Sequence, residues 1–191
     1  MPIHYSDVTI HSELTVGVDD TGHDVKFFGA TAGAYMLWDE SADNLILTGG
    51  AAIRANRTFT ITDDTDGSYD GDVVYFGGTE DMIIGTIYHY KSDGTWEATN
   101  ANAAATCDGL LAVALGGSSD TNGMLLRGMV TLDHDPGAVG DVLFLSAAVN
   151  GDATATAPNG SADIVRVIGY CLHASDGNIW FDPDNTYLEV A

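Results

Sequence analysis

Short apolar runs closed off by Gly, Asp and Asn dominate this chain, and no segment keeps a helical period over three turns. Each separator has turn chemistry, because Gly accepts positive φ and the Asp and Asn side chains bond back to the local backbone. Runs of this length suit strands and are too short for ordinary helices. The N-terminal stretch alternates, with Val8, Ile10, Leu14 and Val16 on one face and Thr9, His11, Glu13 and Thr15 on the other, which predicts a half-buried strand. Further strands are predicted at 25–28, 35–38, 45–47 and 58–62, a meander separated by turns such as Asp19-Asp20-Thr21-Gly22.

The polar stretch from Thr62 to Asp72 breaks this rhythm and reads as a linker. Beyond it the runs lengthen, at 73–76, 82–90, 110–115, 124–132, 142–145, 164–172, 179–181 and 187–190. Near-continuous apolar character is what strands show when both of their faces are covered. A short helix has room only within 101–115, where Cys107, Asp108 and Gly109 interrupt it. The expected fold is therefore all-β: an N-terminal short-strand meander over 1–62, an Asp/Gly-rich linker over 63–72, and a small β-barrel or sandwich over 73–191. The first module is too small to bury its own strand faces. Symmetry mates are expected to complete it as an intertwined homotrimer, burying Val8, Ile10, Leu14, Val16, Phe27, Leu37 and Trp38.

Charge narrows the partners. The chain has 28 acidic residues against 6 basic ones, a formal net charge of -22. Phosphate backbones demand clustered cations, whereas Lys26, Arg54, Arg57, Lys91, Arg127 and Arg166 are few and scattered, so nucleic acid is not an expected partner. Anionic membranes are set aside on the same ground. No apolar run approaches the ~20 residues of a membrane-spanning helix, and residues 1–13 lack a basic start and an apolar stretch, so no signal peptide is expected and assembly is expected in a cytoplasm. An acidic surface with only two lysines suits a crowded assembly in a saline medium. Cys107 and Cys171 stand at no metal-site spacing, and free thiols are expected, with Cys171 buried in its apolar run.

The motifs for chemistry are weak. Counting a calcium loop from Asp64 puts Asp66 third, but Tyr69 stands where the turn glycine belongs and Tyr75 where a bidentate Glu is needed. His134 lies between Asp133 and Asp135, yet neighbours on a strand point to opposite faces and cannot converge on one ion without a bend. Asp135-Pro136-Gly137 reads more simply as a turn. Gly116-Gly117-Ser118-Ser119 lacks the trailing glycine of a nucleophile elbow, and the Gly-Gly pairs lack the Lys of a phosphate loop. Trp38, Trp96 and Trp180 read as core or interface anchors. No catalytic, cofactor-binding or metal residue is expected, and the chain reads as a non-enzyme.

One long segment carries a resemblance. Residues Leu14-Thr15-Val16-Gly17-Val18-Asp19-Asp20-Thr21-Gly22-His23-Asp24-Val25-Lys26-Phe27-Phe28, continuing through Tyr35-Met36-Leu37-Trp38-Asp39 to Asp43, resemble a module recurrent in structural proteins of tailed bacterial viruses, especially aquatic ones. Residues Gly140-Asp141-Val142-Leu143-Phe144-Leu145-Ser146 and Asp163-Ile164-Val165-Arg166-Val167-Ile168-Gly169-Tyr170 are similar to the C-terminal β-domain of virion fibre and head-decoration proteins. The resemblance implies a trimeric protein on the outer surface of a virion, in contact with itself and with the major capsid protein or other virion proteins. It transfers no catalytic residue. Tail fibres usually carry a longer shaft and a receptor tip, so a head-decoration (cement) role is expected ahead of a short tail fibre or spike for host attachment.

Overall fold

The protein is described by a computed structural model over residues 11–53, 57–61 and 63–191. It is all-β, and it divides into two compact units, Met1–Arg57 and Thr58–Ala191.

The first unit holds an antiparallel three-stranded meander: β1 (Val25–Phe28), β2 (Tyr35–Asp39) and β3 (Asn44–Thr48). All three lie where the apolar runs predict them. The turns are closed by the expected residue types, with Gly33 at φ 82 and Asp43 at φ 50. The predicted N-terminal strand is corrected in part: residues 11–16 belong to no strand, and Val8 and Ile10 lie outside the described residues. Alternation alone did not suffice there, because a strand also needs a neighbour for its backbone N–H and C=O groups. The run at 58–61 likewise forms no strand. Phe59 instead packs edge-on against Trp180 at 5.0 Å.

The second unit contains β4 (Tyr69–Val74), β5 (Ile87–Tyr90), β6 (Trp96–Ala98), β7 (Leu111–Ala114), β8 (Met124–Thr131), β9 (Val142–Leu145), β10 (Ala153–Thr154), β11 (Ile164–Val165), β12 (Val167–Cys171), β13 (Asn178–Phe181) and β14 (Leu188–Glu189). Nine of these make one antiparallel sheet that curls into a half-barrel, while β11 and β14 pair separately. Among the described residues the one helical element is a 3-10 turn, Ala104–Thr106, inside the stretch where a helix had room.

β8 organises the sheet. One of its edges pairs with β4 along nearly its whole length. The other edge is shared, with β7 opposite Met124 and Leu125 and β13 opposite Gly128 to Thr131. The sheet thus opens into two lobes, β7-β5-β6 and β13-β12-β9-β10, from a single central strand. The β4–β8 ladder carries a bulge between Asp72 and Val73 and a Gly71–Gly128 pair. Gly128 sits at φ 140, and a Cβ there would run into the Asp70 carbonyl oxygen and the Gly71 Cα. Glycine is what lets the two strands cross this closely where the sheet bends.

Both faces are covered in one lobe. Ile87, Leu111, Val113 and Leu125 enter the main core with Leu143, Leu145, Ile168, Ile179 and Phe181. Their strand neighbours Tyr88, Ala112, Ala114 and Met124 enter a second core with Met82 and Trp96. This two-sided burial is the reason β7 reads as an unbroken apolar run. The second core is aromatic: the Phe76 and Tyr90 rings stand edge-on at 5.0 Å, and Trp96 Nε1 donates to the Phe76 carbonyl at 2.8 Å.

The stretch read as a linker is part of this unit. Tyr69 to Asp72 lie in β4, Gly67 N donates to Thr131 O at 2.9 Å, and Asp63 O accepts from Thr131 Oγ1 at 3.0 Å. Polar composition signalled a boundary, but here backbone groups of the stretch pair with Thr131 at the sheet edge while the side chains of Asp63, Asp64 and Asp66 face solvent.

Arg166, the largest fully buried side chain, ties three segments together. Its Nε donates to Asp184 O at 2.7 Å, and its terminal nitrogens donate to Cys107 O at 2.7 Å and Gly109 O at 2.9 Å. Burial pushes its pKa down from the ordinary value, and the neighbouring Asp108 and Asp184 oppose that shift.

Candidate functional site

Two features stand out, one in each unit. In the first unit, strand register sorts the side chains. Residues opposite each other in an antiparallel pair share a face. The rows Val25-Trp38-Leu45 and Phe27-Met36-Leu47 therefore lie on one side of the sheet. The strand residues on that side are all apolar, with Phe27 55%, Trp38 42% and Leu45 51% exposed, and Asp19, Asp20, Glu40 and Asp43 border Trp38 at its edge. The other side carries Lys26-Leu37-Ile46 and Phe28-Tyr35-Thr48, with Lys26 Nζ 4.2 Å from the Tyr35 ring centroid.

This geometry divides the residues predicted for an oligomer interface. Phe27 and Trp38 share the apolar face, whereas Leu37 points to the opposite side and is buried. Leu14 and Val16 are exposed but lie outside any strand, so no sheet face includes them. Val8 and Ile10 lie outside the described residues.

In the second unit, Asp133, His134 and Asp152 converge, with one ligand atom from each lying within 4.8 Å of the others. The expectation that Asp133 and His134 could not meet is corrected, because the chain bends at these two residues as it leaves β8. His134 Nδ1 lies 2.8 Å from Asp133 Oδ1 and 3.6 Å from Asp152 Oδ1. Asp135 turns elsewhere and accepts from Gly177 N at 3.0 Å. On the far side of the ring, Nε2 accepts from Ala153 N at 2.9 Å and stands 3.2 Å from Ala153 O. Asp133 is held by Thr86, whose Oγ1 donates to Oδ2 at 3.2 Å. Burial raises the Asp152 pKa; His134 opposes the shift and Asp133 adds to it.

An open cleft beside this cluster is lined by Asp64, Asp66, Asp133, His134, Asp135 and Asp176. The two Asp-rich stretches noted in the sequence, at 63–72 and 133–135, thus border one cavity. Asp152 escaped the sequence reading because one carboxylate among 28 carries no signal of its own. Only the pairing of β9 with β10, Leu145 opposite Ala153, brings it back to the end of β8.

A second histidine is placed differently. His89 is buried, and neither ring nitrogen has a hydrogen-bond partner among the described residues. Glu97 and Asp108 carboxylate oxygens each stand 3.6 Å from it, and Lys91 reaches Glu97 at 3.8 Å. Lys91 also pairs with Asp93 at 3.1 Å, and Arg127 pairs with Asp182 at 3.2 Å. Both thiols are buried, and burial pushes the Cys107 thiol up to about 11.

No protein-family model, curated protein or solved structure matches this chain.

Proposed function

We propose that this protein is an external structural component of a tailed virus particle: a homotrimeric decoration protein on the capsid that ties neighbouring major capsid subunits together without performing chemistry. The observation that supports this reading best is the apolar face of the β1-β2-β3 sheet, which among the described residues of its unit has no second sheet layer over it. Phe27, Trp38 and Leu45 are already about half-buried, so covering the rest of each is worth roughly 1 kcal/mol, and identical copies gain by covering the face. The strong negative charge suits a surface that faces the medium while this face is turned inward. The resemblance of residues 14–43 to virion modules points the same way.

The test is the copy number and position of the protein in purified particles, by gel densitometry against the major capsid protein together with imaging. Hundreds of copies on the head are expected. A few copies confined to the tail would replace the decoration role with host attachment by a short fibre or spike.

A further inference from the structure

We propose that Asp133, His134 and Asp152 form a binding site for one divalent transition-metal ion of the zinc class, which clamps the loop before β10 to the end of β8.

The donor set defines the ion. An imidazole nitrogen with two carboxylates suits zinc and its neighbours better than calcium or magnesium, which favour all-oxygen shells. Donor atoms about 2.1 Å from one ion, at roughly 90–110° to each other, lie about 3.0–3.4 Å apart. The separations from His134 Nδ1, 2.8 Å to Asp133 and 3.6 Å to Asp152, straddle that range. All three ligand atoms lie within 4.8 Å of one another, and side-chain rotation closes the remaining gap around one ion.

The ring has a carbonyl within reach of its second nitrogen. A ligating histidine usually donates its other N–H to a backbone carbonyl, and Ala153 O stands 3.2 Å from Nε2. Without an ion, the Ala153 N–H points at Nε2, which makes Nε2 the lone-pair nitrogen and leaves the proton on Nδ1, facing Asp133. Binding moves the proton from Nδ1 to Nε2. The Nδ1 lone pair then reaches the ion, and the ring exchanges the Ala153 N–H for the Ala153 carbonyl.

The loop is shaped to bring Asp152 in. Gly151 sits at φ 79, and a Cβ there would collide with Thr86 Cγ2. The same Thr86 holds the second oxygen of Asp133, so one contact positions both carboxylates. Asp152 Oδ1 lies 3.6 Å from His134 Nδ1, and its ligand atom lies within 4.8 Å of that of Asp133. A cation between the two carboxylates offsets their mutual repulsion. The carboxylates of Asp64, Asp66, Asp135 and Asp176 in the adjoining cleft raise the local cation concentration. At His89, by contrast, Lys91 already occupies the nearby Glu97.

The full-length protein, stripped with a chelator, is titrated with zinc chloride and followed by calorimetry and by the ring 15N shifts of His134. One tight site per chain is expected, with the His134 proton moving from Nδ1 to Nε2 and a midpoint rise of ~5 °C. Asp152→Asn, which keeps size and fold, weakens that step at least tenfold and abolishes the rise. His23→Asn, at an exposed histidine in the first unit, leaves the step intact. Zinc affinity in Asp152→Asn within twofold of wild type, or a His134 proton that stays on Nδ1 with zinc bound, overturns the proposal. Circular dichroism of each variant separates loss of the site from loss of the fold.

Discussion

The two units are built from similar short strands and finish differently. In Thr58–Ala191, β5, β7 and the start of β8 have apolar residues on both faces, and the chain supplies a core for each. In Met1–Arg57, three strands of comparable composition have one apolar face that no second sheet layer covers among the described residues. Apolar content alone therefore does not say whether a sheet is self-sufficient. The number of strands and a second layer decide it, and a three-stranded meander has neither enough area nor enough chain to wrap itself.

That contrast can be broken from either side. The largest effect is expected at Arg166, where replacement by Met leaves the carbonyls of Cys107, Gly109 and Asp184 without their buried donors. A loss of about 3–5 kcal/mol is expected in urea unfolding followed by Trp fluorescence. A loss below about 1 kcal/mol would show that water replaces the guanidinium easily and that this core is less closed than its burial indicates.

The first unit should respond in association instead of folding. Phe27→Ala with Trp38→Ala is expected to weaken self-association at least ~30-fold, about 2 kcal/mol, in light scattering across a dilution series. Phe28→Ala, on the opposite face and 78% exposed, leaves association unchanged. Equal losses from both faces would remove the distinction drawn between them.

A smaller effect sharpens the picture of the main core. With its pKa pushed up to about 11 by burial, the Cys107 thiol stays protonated at neutral pH. Wild-type protein is expected to react with a thiol-disulfide reagent at least ~100-fold more slowly at pH 8 than after unfolding. Fast labelling of Cys107 in the native state would mean that the loop at 104–108 opens independently of the sheet.

The smallest effect lies at the surface. Asp93, in the turn between β5 and β6, has its pKa lowered to about 2 by the Thr95 hydroxyl first, then by Lys91 and the Thr95 N–H. Its folded pKa is below the value of 3.8 of the free side chain, so its contribution is complete above about pH 4 and disappears as pH falls through about 2. Between those limits the thermal midpoint of wild type should fall slightly more steeply than that of Asp93→Asn. Parallel curves would show that solvent screens the pair fully.

Much of the strand pattern was legible from residues alone, and its failures are physical. β1 and β9 coincide with their apolar runs, and β2, β3, β7, β8 and β13 differ from theirs only at the ends. β10, two residues long, offers too little sequence to carry a period, and β6 hides its single buried Trp96 among polar neighbours. The run at 82–90 keeps only Ile87–Tyr90 as strand, because Gly85 at φ 77 turns the chain before it. Residues 63–72 look like a linker because polar side chains dominate them, yet their backbone pairs with a β-edge whichever way those side chains face.

The candidate sites divide in the same way. Phe27 and Trp38 were visible as apolar residues without a local partner, and two-residue alternation already places neighbouring Leu37 on the other face. The Asp133–His134 pair was also visible, but its meaning depended on a backbone bend and on Asp152 arriving from another hairpin. Period and turn chemistry are local quantities, so the order of residues is enough to establish an all-β chain with short, sharply turned strands. Which strand becomes central, which apolar face stays open and which carboxylates meet across the chain are set by long-range pairing. Those contacts depend on where the curl of the sheet at β8 carries each strand, and no stretch of neighbouring residues encodes that.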